Sequence, residues 1–227
     1  THLELNRLRN HLEFLVEERT AELRKSEKTL RASLLDSIAA LAATVEIRDP
    51  YTAGHQNRVA QLAVAIAREL QLPEEQVEGI HLASIVHDVG KIQVPGELLS
   101  KPGKLSALEF DLIKEHAKAG YEILKPIAFP WPIAQIVLQH HERLDGSGYP
   151  QGLRRGQILP EACILAVADV VESMMSHRPY RPGLGLDAAL GQVAVNKGTL
   201  FDPVIVDACL KLFQERGFHF SNGILPR

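Results

Sequence analysis

No glycine or proline occurs before Pro50, and that absence limits what the chain can fold into more than any other feature. Both residues interrupt helices, glycine through backbone freedom and proline through its missing N–H. Across the same stretch Leu5, Leu8, Leu12, Leu15, Arg19, Leu23, Ser26 and Leu30 follow steps of three and four. The spacing predicts one long helix over 1–48, with a heptad-like seam broken at Arg19 and Ser26. Glu17, Glu18, Glu22, Arg24, Lys25, Glu27 and Lys28 charge the faces around the seam. Such a helix either packs on its own domain or pairs with a second copy as a parallel coiled coil, and the seam favours the second. We therefore divide the chain into a coiled-coil signalling helix, 1–33, and a domain over 34–227. The first residues read as mid-helix, so a longer protein with an upstream sensor is expected.

Asp49-Pro50 ends this helix, because proline disfavours helical geometry in the residue before it. Val59, Leu62, Ala63, Ile66 and Leu70 form the apolar face of a second helix. Pro73 opens a third, containing Ile80, Ala83 and Ile85, and Pro95, Gly96, Pro102 and Gly103 mark a loop. Ser106-Ala107-Leu108-Glu109 is a capping-box pattern at the start of the next helix. Further helices are expected over 130–141 and 160–175, with Asp187 and Asp202 as N-caps of the last two. Gly146, Gly148, Pro150, Gly152 and Gly156 mark a long structured loop. No convincing strand alternation occurs, so the expected class is all-α.

A net charge of −3 gives no basic excess for binding a nucleic-acid polymer. The two cysteines, Cys163 and Cys209, lie in apolar helical patterns and make no disulfide framework, which suits a reduced cytoplasmic setting. No apolar run approaches the roughly 18 residues needed to span a bilayer.

Five of the ten histidines stand at distinctive places: His55, His87, His116, His140 and His141. His87 is followed at once by Asp88, and the pair interrupts the apolar run Ala83-Ser84-Ile85-Val86. Asp169 sits inside Ala166-Val167-Ala168-Asp169-Val170-Val171, where a lone carboxylate would be costly to bury. Any one of these histidines is more simply a satisfied core residue. The whole set, with two adjacent pairs, is hard to explain by packing and points to cations. His2, His11, His81, His177 and His219 are read as surface or structural.

These residues carry a resemblance. His87-Asp88-Val89-Gly90-Lys91 resembles the motif of the HD superfamily of metal-dependent phosphohydrolases. His140-His141-Glu142-Arg143-Leu144-Asp145-Gly146-Ser147-Gly148-Tyr149-Pro150 is similar to the signature of its HD-GYP branch, the cyclic di-GMP phosphodiesterases. Ile92-Gln93-Val94-Pro95, Lys101-Pro102-Gly103, Arg178-Pro179-Tyr180-Arg181 and Gly198-Thr199-Leu200-Phe201-Asp202-Pro203 are also similar to that family. The likeness runs over roughly 34–218.

The resemblance implies an HD-type helical bundle with two divalent transition metals, iron or manganese first, zinc or nickel as alternatives. By motif position one metal would be held by His55, His87, Asp88 and Asp169, and the other by His116, His140 and His141 with Asp88 bridging. Paired cations about 3.5–4 Å apart can activate water and clamp a phosphoryl group. Lys91 would reach into the site with Asp49 beside it, making Asp88, Lys91 and Asp49 the catalytic group. Arg178 and Arg181 would grip the second phosphate through their planar forks, with surface charge as the alternative reading. Tyr149 would meet the substrate, and the GYP loop would also serve other cyclic di-GMP signalling domains. Some family members carry a glutamate four residues before the position of His55 for a third metal. Here Tyr51 stands there, so a binuclear site is expected.

The implied activity is hydrolysis of cyclic di-GMP to pGpG or on to GMP, as the cytoplasmic output domain of a bacterial sensor protein. Two alternatives stay open: a hydrolase of 3′,3′-cyclic GMP-AMP, and a non-catalytic dinucleotide receptor signalling through the coiled coil.

Overall fold

The computed structural model describes residues 2–46, 54–176 and 183–221. The chain divides into two compact units, Thr1–Ala40 and Leu41–Arg227. Helix α1, His2–Glu46, accounts for the first unit. Leu5, Leu8, Leu12, Leu23 and Leu30 of the seam are all more than half exposed on it.

The described residues of the second unit form helices joined by turns and loops, with two isolated bridges, Asp145 with Arg154 and Lys197 with Phe201. Its elements are α2 (His55–Glu69), α3 (Glu74–Val86), a 3₁₀ turn (Val89–Gln93), α4 (Gly96–Leu99) and α5 (Ala107–Leu124). They continue as α6 (Ile133–Gln139), α7 (Pro160–Met175), α8 (Leu186–Val195) and α9 (Pro203–Gln214). No helix among the described residues is long and apolar enough to cross a membrane.

Helix α2 is the centre of the packing and meets α3, α7 and α9. Val59, Leu62, Ala63 and Ile66 are wholly buried on it, as the apolar spacing predicts, and Ala60 and Ala67 keep neighbouring backbones close. Helix α7 is buried nearly all round: Ala162, Ile164, Leu165, Val167, Ala168 and Val171 are each at most 1% exposed. A helix apolar on every face belongs in a core. Burying each of its larger aliphatic side chains stabilises the fold by roughly 1.5–3 kcal/mol.

Glycine at 90 permits the contact that places the 3₁₀ turn. A Cβ there would stand 1.9 Å from the His116 carbonyl oxygen and 2.4 Å from the Gly120 nitrogen, so the turn lies directly on α5. The capping box at α5 forms as expected: the Ser106 hydroxyl accepts from Glu109 N–H, and the Glu109 carboxylate accepts from Ser106 N–H. Asp202 caps α9 through Val204 and Ile205 N–H.

Three local expectations need correction. The helix expected over 130–141 begins only at Ile133, because prolines at 130 and 132 disfavour helical backbone at Phe129 and Trp131. Asp187 is not an N-cap; Gly185 holds that place, and Asp187 lies in the first turn of α8, where its charge suits the helix dipole. The loop expected around Gly96 contains the short helix α4.

Candidate metal centre

His55 opens α2, and His87 and Asp88 follow the last residue of α3. His116 comes from the middle of α5, His140 and His141 from the end of α6, and Asp169 from the buried core of α7. All but His141 are nearly inaccessible.

The imidazoles are oriented by their own helices. Nδ1 of His87 lies 2.7 Å from the Ser84 carbonyl, Nδ1 of His116 lies 2.6 Å from that of Ile113, and Nδ1 of His140 lies 2.5 Å from that of Val137. A carbonyl oxygen can only accept, so each Nδ1 carries a proton, which leaves Nε2 as the atom that can present a lone pair. In all three the acceptor is the residue three positions earlier. His55 differs, since its Nδ1–H meets the carboxylate of Glu172.

The Nε2 atoms converge on two carboxylates. His55 Nε2 is 3.3 Å and His87 Nε2 is 3.9 Å from Asp169 Oδ1. Asp88 turns Oδ2 towards His87 (3.5 Å) and His55 (3.9 Å), and Oδ1 towards His116 (3.5 Å). His116 and His140 bring their Nε2 atoms to 3.4 Å. Three sets could each hold an ion, with ligand atoms all within 4.8 Å of one another: His55, His87 and Asp169; His116, His140 and His141; and His87, Asp88 and His140. The third set links the first two through Asp88.

Burial opposes ionisation of Asp88, but Lys91 and the surrounding histidines hold its carboxyl well below the usual range. Asp169 is likewise held low against burial, by its hydrogen bond to His55. Burial pushes His140 down to about 3, helped by His87 and His116, and pushes His141 and His116 below the ordinary histidine range. His55 goes the other way: burial disfavours its charge, yet Asp169 and Glu172 push it up to about 9. Imidazole nitrogens and carboxylate oxygens in one enclosed cluster form a donor set suited to divalent transition metals, and the residues present fit such ions.

Lys91 lies beside this cluster, its Nζ 2.7 Å from Asp88 Oδ2 and its side chain only 15% exposed. Tyr149 stacks on His141 with ring centroids 4.6 Å apart, and Lys114 Nζ stands 5.7 Å from the Tyr149 ring. The loop bearing Tyr149 is tied down by buried Glu142, which accepts from Gln151 N–H (2.7 Å) and Leu153 N–H (2.9 Å). Gly148 is required there, because a Cβ would lie 2.4 Å from Glu142 Cα. The sequence reading thus named seven potential ligands that the fold brings together, with Lys91 and Tyr149 next to them. Asp49, Tyr51, Arg178 and Arg181 lie outside the described residues.

Sequence reasoning missed Glu172, Arg58 and Ser176. Glu172, 1% exposed, accepts from His55 through one oxygen, and from Arg58 Nε (2.6 Å) and Ser176 Oγ (2.6 Å) through the other. The signal was present: Glu172 stands three residues after Asp169 in an apolar helix, and Arg58 three after His55. Residues three apart share a helix face.

Comparison with known proteins agrees with this geometry. The HD domain family matches residues 39–205. The chain is 43% identical over 178 residues to the cyclic di-GMP phosphodiesterase response regulator RpfG of Xanthomonas campestris, covering 78% of this chain and 47% of that protein. It is 41% identical over 172 residues to a cyclic di-GMP phosphodiesterase of Thermotoga maritima, covering 75% of this chain and 47% of that protein. The chain thus spans about half the length of these curated relatives, 47% in each case. Among solved structures, the cyclic GMP-AMP-specific phosphodiesterase V-cGAP3 of Vibrio cholerae superposes with a TM-score of 0.62 at 15% identity, covering 80% of this chain and 49% of that one. That likeness speaks for the fold alone. With its paired motifs, its helical architecture and a family match over most of its length, the chain belongs to the HD domain family, in the HD-GYP branch.

Proposed function

We propose that this chain is a metal-dependent phosphodiesterase that hydrolyses cyclic di-GMP to the linear dinucleotide pGpG, with GMP as the further product. The observation that carries the reading is Asp88, which turns one carboxylate oxygen to the His55–His87 side and the other to His116. A residue so placed can bridge two cations. His55, His87 and Asp169 would hold one, and His116, His140 and His141 the other. Iron or manganese is the preferred pair, and zinc or nickel also suits the donors. When bound, such ions polarise phosphoryl oxygens and make a water-derived nucleophile available at neutral pH.

The protein's own groups do the rest. The Nδ1 bonds of His55, His87, His116 and His140 hold those four rings in place, so none of the four must turn when a dinucleotide arrives. Lys91 carries a positive charge beside Asp88, where it can balance the phosphodiester's charge and that of the leaving oxygen. Asp49 would steady Lys91. Tyr149, packed on His141, stands where it can meet the substrate. Arg178 and Arg181 would grip the second phosphate as charged forks. Three relatives named as cyclic di-GMP phosphodiesterases reach 38–43% identity and three named as 3′3′-cGAMP-specific reach 34–36%, an order that supports cyclic di-GMP. Upstream, the leucine seam of α1 would pair two copies and transmit a sensor signal, and the loop around Tyr149 would offer a surface to other cyclic di-GMP signalling domains.

The test incubates manganese-loaded chain with cyclic di-GMP and, separately, with 3′,3′-cyclic GMP-AMP, and resolves the products by chromatography. Formation of pGpG, faster than opening of the mixed dinucleotide, is the expected result. Binding without any product would favour a receptor, and preferential opening of cyclic GMP-AMP would reassign the substrate.

A further inference from the structure

The two ligand groups differ in what stands behind them. His87, His116 and His140 each lean on a neutral backbone carbonyl. His55 leans on a carboxylate, and that carboxylate is itself locked by Arg58 and Ser176. Charge follows the same division. The His55 group contains Asp169 and is backed by Glu172, whereas the other group consists of three imidazoles, His116, His140 and His141. Asp88 faces both groups, so the Lys91 charge resting on it weakens both. Arg58 lies on the far side of Glu172 from His55, on the other carboxylate oxygen, and offsets the Glu172 charge only in part.

A carboxylate accepting the Nδ1–H of a ligating histidine makes its Nε2 a stronger donor and fixes the ring's direction. From this asymmetry we infer that Glu172 is a positioning residue that makes the His55–His87–Asp169 group the tighter of two cation sites. The cations then load in order, the His55 group first and the His116–His140–His141 group second. The practical consequence is a protein that retains one ion and exchanges the other, so that the second group sets how activity follows metal supply. Arg58 and Ser176 hold the Glu172 carboxylate in place for His55, while the Arg58 charge offsets part of its effect. Glu172 touches no reacting atom; its effect passes entirely through His55.

This inference rests on the metal reading above, and its test is read without substrate. The full chain is stripped with chelator and titrated with Mn²⁺ by calorimetry, and bound metal is counted by elemental analysis. Wild-type protein should take up two equivalents in two resolved steps. Glu172→Gln, which keeps the shape and removes the charge, should weaken the first step ten- to a hundredfold, the range typical of such outer partners. The second step should stay within twofold. Ser176→Ala, a smaller disturbance, should weaken the same step by less, and it carries the test should Glu172→Gln not fold. His141→Ala should remove the weaker step and leave the tighter one. Equal weakening of both steps in Glu172→Gln and Ser176→Ala, or no weakening in either, would overturn the ordering. Wild-type protein that binds fewer than two ions would overturn it together with the metal reading. Two ordered steps in a protein that opens no cyclic dinucleotide would uphold this inference and overturn the proposed activity.

Discussion

At the scale of single residues, Asp88 and Gly90 carry the heaviest constraints and predict different failures. Among the described residues, Asp88 is the carboxylate whose oxygens lie within 4 Å of histidines of both groups. Asp88→Ala should therefore abolish hydrolysis and lower bound metal, while circular dichroism shows an unchanged helical fold. Full activity with unchanged metal content would remove the two-ion assignment. Gly90 fails through space. The 1.9 Å approach of an added Cβ to the His116 carbonyl leaves backbone as the clashing partner, so Gly90→Ala must push the 3₁₀ turn off α5. Overpacking of this kind costs on the order of 1–3 kcal/mol, and it moves Lys91 and His116 together. Thermal denaturation should show a lowered midpoint, and metal affinity should fall with it. A variant as stable as the parent would mean that the turn can shift freely. The ligand set was legible in the sequence because its histidines and aspartates interrupt apolar runs and form recognisable motifs. Glu172 was not read as part of it, since a glutamate near a helix end looks like an ordinary surface charge until its three partners are seen.

At the scale of elements, the helices that end in sharp local chemistry were the legible ones. Pro160 opens α7 and Asp202-Pro203 opens α9 at the expected residues, and Ser106 with Glu109 caps α5. The misplaced boundaries, at α6 and α8, fall where proline or glycine competes with a weaker cap signal. The α5 cap makes a pH-dependent prediction. Hydrogen bonds from Lys101, and then from Ser106, hold the Glu109 carboxyl down to about 2, against an ordinary value of 4.5. A group with a lowered folded-state pKa stabilises the fold above its unfolded pKa. The contribution is thus complete above pH 4.5 and is lost as pH falls towards 2. Melting curves of wild type and Glu109→Gln should differ near neutrality and converge in acid. Ser106→Ala removes the other half of the box and should cost about 1 kcal/mol. Curves that stay parallel down to pH 2 would show that the Glu109 charge does not contribute to stability.

At the scale of the whole molecule, the remaining question is what the first unit does. Residues Thr1–Ala40 form a compact unit made of a single helix. A lone helix cannot bury an apolar stripe on itself, and most helical stability in water comes from packing such a stripe. Leu5, Leu8, Leu12, Leu23 and Leu30 are 52–72% exposed, and each would gain roughly 1.5–3 kcal/mol if fully buried. An ion pair beside the seam, Arg9 with Glu13, leaves that flank solvated, as coiled-coil flanks are. A second copy in parallel register is the partner that would match leucine with leucine at Leu5, Leu8, Leu12, Leu15, Leu23 and Leu30. Arg19 and Ser26 would weaken the middle of such a pair. Deleting residues 1–35 should therefore shift the protein from dimer towards monomer in sedimentation velocity, with the ligand cluster still able to take up metal. Replacing Leu8 and Leu12 by Asn should do the same in the full chain. A dimer that survives both changes would place the interface on the residues beyond Ala40.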